Sequence, residues 1–483
     1  MNVSNLLKEI EIKNIVYDSR AVKSGDLFCA IKGFSFDGND FVDIAVKNGA
    51  VGVLSENEKP NNFNKIWIKC DNVKKTMAEF GKDFYGVDFS DIYSVAVTGT
   101  NGKTSVATIC DSILANIFGE ENTCLIGTIG NKICGEFFGS DRTTPEAIDT
   151  LRIIGSAKNK IKTLCMEASS HALVLDRLTE FYFDSAIFTN LTQDHLDFHE
   201  TMEEYYSAKK RLFTKHIKNN GAAIINIDDE YGKRLIKELK NDKSFSIGFA
   251  HDANYRILTA HCDWKGIFFK IKTPNAKILK FRTKLIGHFN VINCAQAVCG
   301  LLASGIDEYA VIEGLEKVKP VEGRIDKVEL NSPFSVIVDY AHTPDALVKI
   351  LSTAKKLTKG NLIAVFGAGG NRDKTKRPLM GDAVAKNCDF AVLTSDNPRN
   401  ENPQSIIDEV KDGFPIDFPH VCVIDRKEAI KFAFENANEG DAVIIAGKGH
   451  EKYQETAGVK HRFDDKETAK DVWEEIKNHR GKI

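Results

Sequence analysis

The sequence predicts an α/β fold divided into three domains, and three observations lead there. At 483 residues the chain is too long for a single core, given roughly 150 residues per domain. Short apolar runs alternate with amphipathic stretches along most of its length, the pattern of parallel strands joined by helices. A glycine-rich turn, Thr98-Gly99-Thr100-Asn101-Gly102-Lys103-Thr104, lies where one apolar run gives way to a helix-forming stretch.

Residues 1–88 read as a small α/β domain. Asp18-Ser19-Arg20, Ser24-Gly25-Asp26-Leu27-Phe28-Cys29-Ala30 and Gly49-Ala50-Val51-Gly52-Val53-Leu54 are short β-rich units parted by turn residues. Residues 89–323 carry strands at 95–97, 163–167, 185–189 and 222–226 and a helix over 104–117, which predicts a mostly parallel sheet with helices on both faces. Residues 324–483 repeat the alternation, with strands at 335–339, 362–366, 390–394 and 442–446, and read as a Rossmann-like domain. In such sheets the loops at the C-terminal strand ends hold the chemistry. Gly367-Ala368-Gly369-Gly370 invites a nicotinamide-binding reading. However, no clear acidic residue follows about 20 positions on, and Arg372, Lys374, Lys376 and Arg377 crowd the loop.

Charged residues make up 28% of the chain, yet the net charge is only −3. No basic field is available for a nucleic acid backbone or an anionic membrane, so any anion must be met by local clusters. The N-terminal segment lacks a signal-peptide core and no apolar run approaches ~18 residues. A cytoplasmic, soluble protein is expected, with no membrane insertion, no nucleic acid partner and a monomeric state. The eleven cysteines are scattered without Cys-x-x-Cys pairs and read as buried, reduced thiols.

The glycine turn is a phosphate cradle in outline. Gly99 and Gly102 let backbone N–H groups of residues such as Thr100, Asn101 and Ser105 turn toward an anion at a helix N-terminus. Lys103 can reach β/γ-phosphates and Thr104 can ligate Mg²⁺. A general P-loop would have glycine at position 97, where this chain has valine. The bland alternative is a solvated Gly-Lys turn that merely joins strand to helix. Two further strand ends, Cys165-Met166-Glu167-Ala168-Ser169-Ser170-His171 and Asn190-Leu191-Thr192-Gln193-Asp194-His195-Leu196-Asp197, belong at the same edge of the sheet. Glu167 and His195 could there hold Mg²⁺ against phosphate oxygens. Taken singly, a strand-end Glu reads as a cap and a His before Leu as a core residue.

In order along the chain, Gly99 to Thr104, the Glu167 and Asn190 motifs, Tyr205-Tyr206-Ser207-Ala208-Lys209, Gly287-His288-Phe289-Asn290-Val291-Ile292-Asn293 and Asp339-Tyr340-Ala341-His342-Thr343-Pro344 resemble those of the Mur ligases. The resemblance runs from residue 18 to about residue 464 and implies a stepwise ligation. ATP phosphorylates a carboxylate of a UDP-muramoyl dipeptide, and an amino acid then displaces phosphate from the acyl phosphate. Bringing the two anions together requires cations to neutralise them. By resemblance, Lys103 stabilises the phosphates, while Thr104, Glu167, His195 and Lys209 surround metal. Lys209 does so as a carbamate formed with CO₂. Read alone, Lys209 in Ala208-Lys209-Lys210-Arg211 is a solvated helix face. The same resemblance brings Asn290, Asn293, Arg324, Asp339 and His342 to the nucleotide. It assigns Ser19, Phe34, Ser35, Phe36, Thr143, Thr144, Ser169 and Arg177 to the UDP-muramoyl dipeptide. Related enzymes often carry glutamine at the place of Leu175, so one polar contact is missing here.

The amino-acid end is carried by Thr394-Ser395-Asp396-Asn397-Pro398-Arg399. Diaminopimelate has one carboxylate more than lysine, and a guanidinium fork suits it. The resemblance makes Asp-Asn-Pro-Arg the diaminopimelate form of the motif and adds Arg372, Gly447 and Glu451, the last as holder of the distal ammonium. Without the family, the same four residues are an ordinary proline turn. The expected activity is therefore ATP-dependent addition of diaminopimelate, by domains that close on one another. Lysine addition, a folylpolyglutamate-synthetase-like ligation and a regulatory P-loop NTPase are the competing readings.

Overall fold

The computed structural model describes residues 11–33, 36–140, 142–157, 160–239, 242–319 and 325–480. It divides into two compact units: residues 1–260, 269–282 and 292–318, and residues 261–268, 283–291 and 319–483. Among the described residues no helix is long and apolar enough to cross a membrane. Among the described residues none of the eleven cysteines is in a disulfide.

The first unit begins with a four-stranded parallel sheet, Asn14–Val16, Asp26–Cys29, Gly52–Ser55 and Ile66–Lys69, in sequential order. Helix Val73–Tyr85 is capped by the Asn72 side chain and ends at Gly86 in the left-handed region. It buries Val73, Met77 and Phe80 with Ile148, so the small sheet shares a core with helix Ala147–Ser156. Arg152 strengthens this junction by donating to the Ile15 carbonyl and the Tyr85 hydroxyl, both at 3.0 Å.

Behind it stands an eleven-stranded sheet. Its centre is parallel, with Tyr93–Thr98 between Phe183–Phe188 and Thr163–Glu167. Ile217–Asn226 and Ser244–Gly248 extend one side, and Thr123–Gly127 the other. Unlike the expected simple alternation, the second edge ends in an antiparallel meander, Thr123–Gly127, Gly130–Ile133 and Glu136–Phe138. Helix Lys103–Phe118 buries Val106, Ile109, Cys110, Ile113 and Leu114, the i, i+3, i+4 stripe that the sequence carries.

The second unit is a six-stranded sheet in the order Asp326–Val328, Ser335–Asp339, Ala442–Ala446, Leu362–Phe366, Phe390–Leu393, His420–Cys422, parallel except for its first pair. Strand alternation sorts its side chains cleanly. Leu362, Ala364, Phe366, Ile444 and Ala446 pack under helices Pro344–Leu357, Lys376–Ala385 and Pro403–Lys411. Ile363, Val365, Val443 and Ile445 pack under Arg426–Asn436 and Asp465–Arg480. A doubly wound α/β layer results, as the sequence predicts.

Candidate active site

Strand Tyr93–Thr98 ends at Gly99, whose φ of +148° and contacts leave no room for a side chain: an added Cβ would lie 1.9 Å from Thr189 Oγ1. The following loop is braced by the neighbouring strand end. Thr100 N donates to the Asn190 carbonyl (2.9 Å), Asn101 N to Asn190 Oδ1 (3.0 Å), and Thr189 Oγ1 to the Asn101 carbonyl (2.6 Å). Gly102, also left-handed, precedes the first turn of helix Lys103–Phe118, where Thr104 and Ser105 sit. Gly99→Ala is expected to destabilise the chain by about 1–3 kcal/mol, the cost of overpacking and backbone strain. It should also weaken ATP binding more than tenfold; melting and nucleotide titration check both.

Thr100, Asn101, Gly102, Lys103, Thr104, Thr128, Thr143, Glu167, Ser169, His195 and Lys209 line one cavity of about 270 Å³. Lys103 Nζ donates to the carbonyls of Gly99 (2.9 Å) and Thr100 (3.0 Å), and Lys209 Nζ donates to the same Gly99 oxygen (2.8 Å). Burial pushes both ammonium groups below the usual lysine range, Lys209 far below, with the Lys103 charge adding repulsion. The solvated-face reading of Lys209 is wrong, since its residue exposure is 1%. Helix Met202–Lys215, capped by Thr201, turns Tyr205, Ala208, Lys209, Leu212 and Phe213 inward, and Lys209 lies 4.5 Å from the Tyr205 ring centroid.

Glu167 is buried at the end of its strand. Its Oε1 accepts from Thr128 N (2.7 Å), and its Oε2 accepts from Thr104 Oγ1 (3.0 Å) and Thr128 Oγ1 (3.2 Å). His195 has an exposed side chain and a left-handed backbone (φ +53°), with its ring 5.1 Å from that of His171. No group of three or more His, Cys, Asp or Glu among the described residues could cage a metal ion. Mg²⁺ needs no such cage, because it binds through one or two carboxylates together with waters and phosphates. The Thr104–Glu167 oxygen pair beside the glycine loop fits that requirement.

From this cavity an arm of polar groups leads outward. Thr143 Oγ1 lies 3.0 Å from Thr128 Oγ1, and Thr144 Oγ1 donates to the Glu167 carbonyl (2.7 Å) and sits 3.2 Å from Ser169 Oγ. Arg177 donates to the Thr144 carbonyl (3.3 Å), and its Nε lies 2.8 Å from Glu146. Arg142 (2.9 Å) and Lys74 (3.7 Å) join the same carboxylate. Ser19 is buried, its carbonyl accepting from Asn48 Nδ2 at 2.9 Å, and Phe36 is exposed. Phe34, Ser35 and Arg324 lie outside the described residues.

The remaining predicted residues belong to the second unit, apart from Asn293, whose Oδ1 lies against Gly102 in the first. Asn290 Nδ2 donates to the Ile286 carbonyl at 2.8 Å. Asp339 accepts from the Ile325 (2.7 Å) and Ala341 (2.8 Å) amides, and the exposed His342 ring packs against Tyr340. The loop after Phe390–Leu393 is bound to its neighbours on both sides. Gly370 N donates to the Asn397 carbonyl (2.9 Å), and Arg399 Nη1 to the Gly370 carbonyl (2.7 Å). Gln454 Nε2 donates to the Asp396 carbonyl (2.7 Å). Arg399 sits at φ +51° with Nε 3.4 Å from Glu455, and Pro398 is buried. Asn397 Nδ2 donates to Glu451 Oε2 (2.9 Å). Burial raises the Asp396 carboxyl, against the pull of Arg426 and Lys448. A Cβ on Gly447 would stand 2.5 Å from Asp396 Oδ2. Arg372 is exposed beside this loop.

Residues 11–85 match the family described as Mur ligase family, catalytic domain; residues 97–301 match the Mur ligase middle domain; and residues 323–449 match the Mur ligase glutamate ligase domain. The chain belongs to the Mur ligase family. It is 41% identical over 470 residues (97% of this chain, 96% of the relative) to UDP-N-acetylmuramoyl-L-alanyl-D-glutamate–2,6-diaminopimelate ligase 1 of Clostridium acetobutylicum. It is 41% identical over 473 residues (98% and 95%) to the ligase of that name from Aquifex aeolicus. A solved structure bearing the same enzyme name superposes with a TM-score of 0.79 at 34% identity, covering 96% of this chain and 95% of that one. The MurF ligase of Thermotoga maritima shares the fold, with a TM-score of 0.56 and 19% identity over 98% of this chain and 99% of that one.

Sequence reasoning missed several residues of this Mur ligase that hold the predicted ones. Thr128 and Glu146 grip Glu167 and Arg177. Arg377, 1% exposed, forks onto both oxygens of Glu401 (2.9 Å each), bonds Glu409 (2.6 Å) and reaches the Gly369 carbonyl (3.2 Å). From the sequence it reads only as one of the cations crowding the glycine loop. Glu146 was available as the acid closing Thr143-Thr144-Pro145-Glu146, and Lys448 as the cation inside Gly447-Lys448-Gly449-His450-Glu451.

Proposed function

We propose that this Mur ligase joins meso-2,6-diaminopimelate to the D-glutamate γ-carboxylate of UDP-N-acetylmuramoyl-L-alanyl-D-glutamate, in cytoplasmic synthesis of peptidoglycan precursor. One observation carries the reading: a chain alike over nearly its whole length to relatives named for this reaction holds Arg399 in a fixed, braced position. The γ-carboxylate oxygen attacks the γ-phosphorus of ATP and ADP leaves. The amine of diaminopimelate then attacks the acyl carbon, and phosphate leaves as the peptide bond forms.

Lys103 carries the phosphate charge, with the amides of 99–105 around it. Thr104, Glu167, His195 and a carbamylated Lys209 would hold Mg²⁺, which supplies neutralisation of phosphate oxygens. Arg177, Thr143, Thr144 and Ser169 orient the dipeptide, with Ser19, Phe34, Ser35 and Phe36 toward the nucleotide-sugar end. Asn290, Asn293, Arg324, Asp339 and His342 take the adenosine side. Arg372, Asp396, Asn397, Pro398, Arg399, Gly447 and Glu451 receive the amino acid.

The test is phosphate release and product mass with ATP, the muramoyl dipeptide and either diaminopimelate or lysine. Diaminopimelate is expected to give the tripeptide and lysine little. Equal turnover of lysine, or ATP hydrolysis that needs no amino acid, would sink the reading. A charge-assisted hydrogen bond contributes about 1.5–3 kcal/mol. Arg399→Ala should therefore raise the diaminopimelate KM roughly ten- to hundredfold and leave ATP binding unchanged. Equal losses on both would mean misfolding.

A further inference from the structure

Below the predicted amino-acid residues lies a lysine with no assigned role. The Lys448 side chain is fully buried (0% exposed). Its Nζ is 3.1 Å from Asn397 Oδ1 and 3.1 Å from Glu451 Oε2, and lies 5.5 Å from the Tyr453 ring centroid. The arrangement is closed on the protein side. Glu451 Oε2 already accepts from Asn397 Nδ2, and Asn397 Oδ1 also takes the Glu455 amide at 2.9 Å.

The surrounding charges make this lysine count. Asp396 and Asp465 are buried nearby, and Arg426 spends its charge on Asp465 through two bonds of 2.7 Å. Lys448 is the cation in direct contact with Glu451, at 3.1 Å, while Arg426 and Lys448 both also act on Asp396. The Glu451 side chain is half-buried, 20% exposed, and without its counter-charge a carboxylate so placed attracts cations. Lysine carries one positive charge more than zwitterionic diaminopimelate, because it lacks a carboxylate. We propose that Lys448 is a positioning and specificity-determining residue. It holds Asn397 and Glu451 in register, and its charge tilts the site toward an amino acid with a second carboxylate and away from a purely cationic side chain.

The inference rests on the function proposed above and acts through Glu451, which gives its test a sign. Lys448→Met should lower the ratio of kcat/KM for diaminopimelate to that for lysine by about tenfold, as expected for a charge removed at this range. Glu451→Gln leaves Lys448 unbalanced and should move the ratio the other way. The double variant Lys448→Met/Glu451→Gln restores the charge balance and should return the ratio toward the parent value, and Lys448→Arg should retain it. ATP-analogue affinity and melting temperature, read in parallel, separate these shifts from unfolding. If Lys448→Met does not fold, the direction of the Glu451→Gln shift decides. An unchanged ratio in Lys448→Met, or a shift of the same sign in both single variants, would overturn the inference. Failure of the parent chain to use diaminopimelate would instead overturn the function on which it rests.

Discussion

Lys209→Ala is expected to reduce ligation by about 10³-fold or more, at the upper end of what removing one preorganised electrostatic group costs, without unfolding the chain. The side chain is buried beneath the glycine loop and bonded to the Gly99 carbonyl, in the cavity that also contains Lys103, Thr104 and Glu167. In that place an ammonium repels Lys103, whereas a carbamate would complement it and any bound Mg²⁺. The packing lost is mainly an aliphatic stem against Tyr205, so the fold should survive with a modest fall in melting temperature. Formate or acetate, small enough for the vacated space, should restore part of the activity by replacing the missing anion. An alanine variant with full activity would remove Lys209 from the metal site.

Lys103→Met should be comparably severe, again about 10³-fold in turnover, and should act on the nucleotide half of the reaction alone. The methionine keeps most of the stem volume while deleting the ammonium that donates to Gly99 and Thr100. Nucleotide affinity should fall, whereas binding of the muramoyl dipeptide, proposed to rest on Arg177, Thr144 and Ser169, should hold. Titration of each substrate separately distinguishes this from a general collapse. Unaltered ATP turnover would exclude the loop at 99–105 as the phosphate cradle.

Much of the fold could be read from local spacing. The stripe at 106, 109, 110, 113 and 114 declares its helix, and the strands at 335–339, 362–366 and 442–446 fall where the apolar runs lie. The antiparallel meander of 123–138 escaped because its strands are short and glycine-rich, and its last one is exposed, which erases the alternation that marks a strand. The solvated-face alternative for Lys209 fails for the opposite reason. Its charged neighbours Lys210 and Arg211 mask a stripe of Tyr205, Ala208, Leu212 and Phe213 that already points the lysine inward.

By itself the sequence determined the α/β class and most of the central strands and helices, and it named the strand-end motifs as candidates, because these depend on chemistry within a few residues. Only the tertiary structure decided which groups meet. Lys209 bonds a carbonyl 110 positions away, Lys448 bonds Asn397 51 positions away, and Arg177 leans on Glu146. The order in which alternating strands line up across a sheet is set by packing of whole layers. Because parallel strands end along one edge, loops distant in sequence are delivered there together.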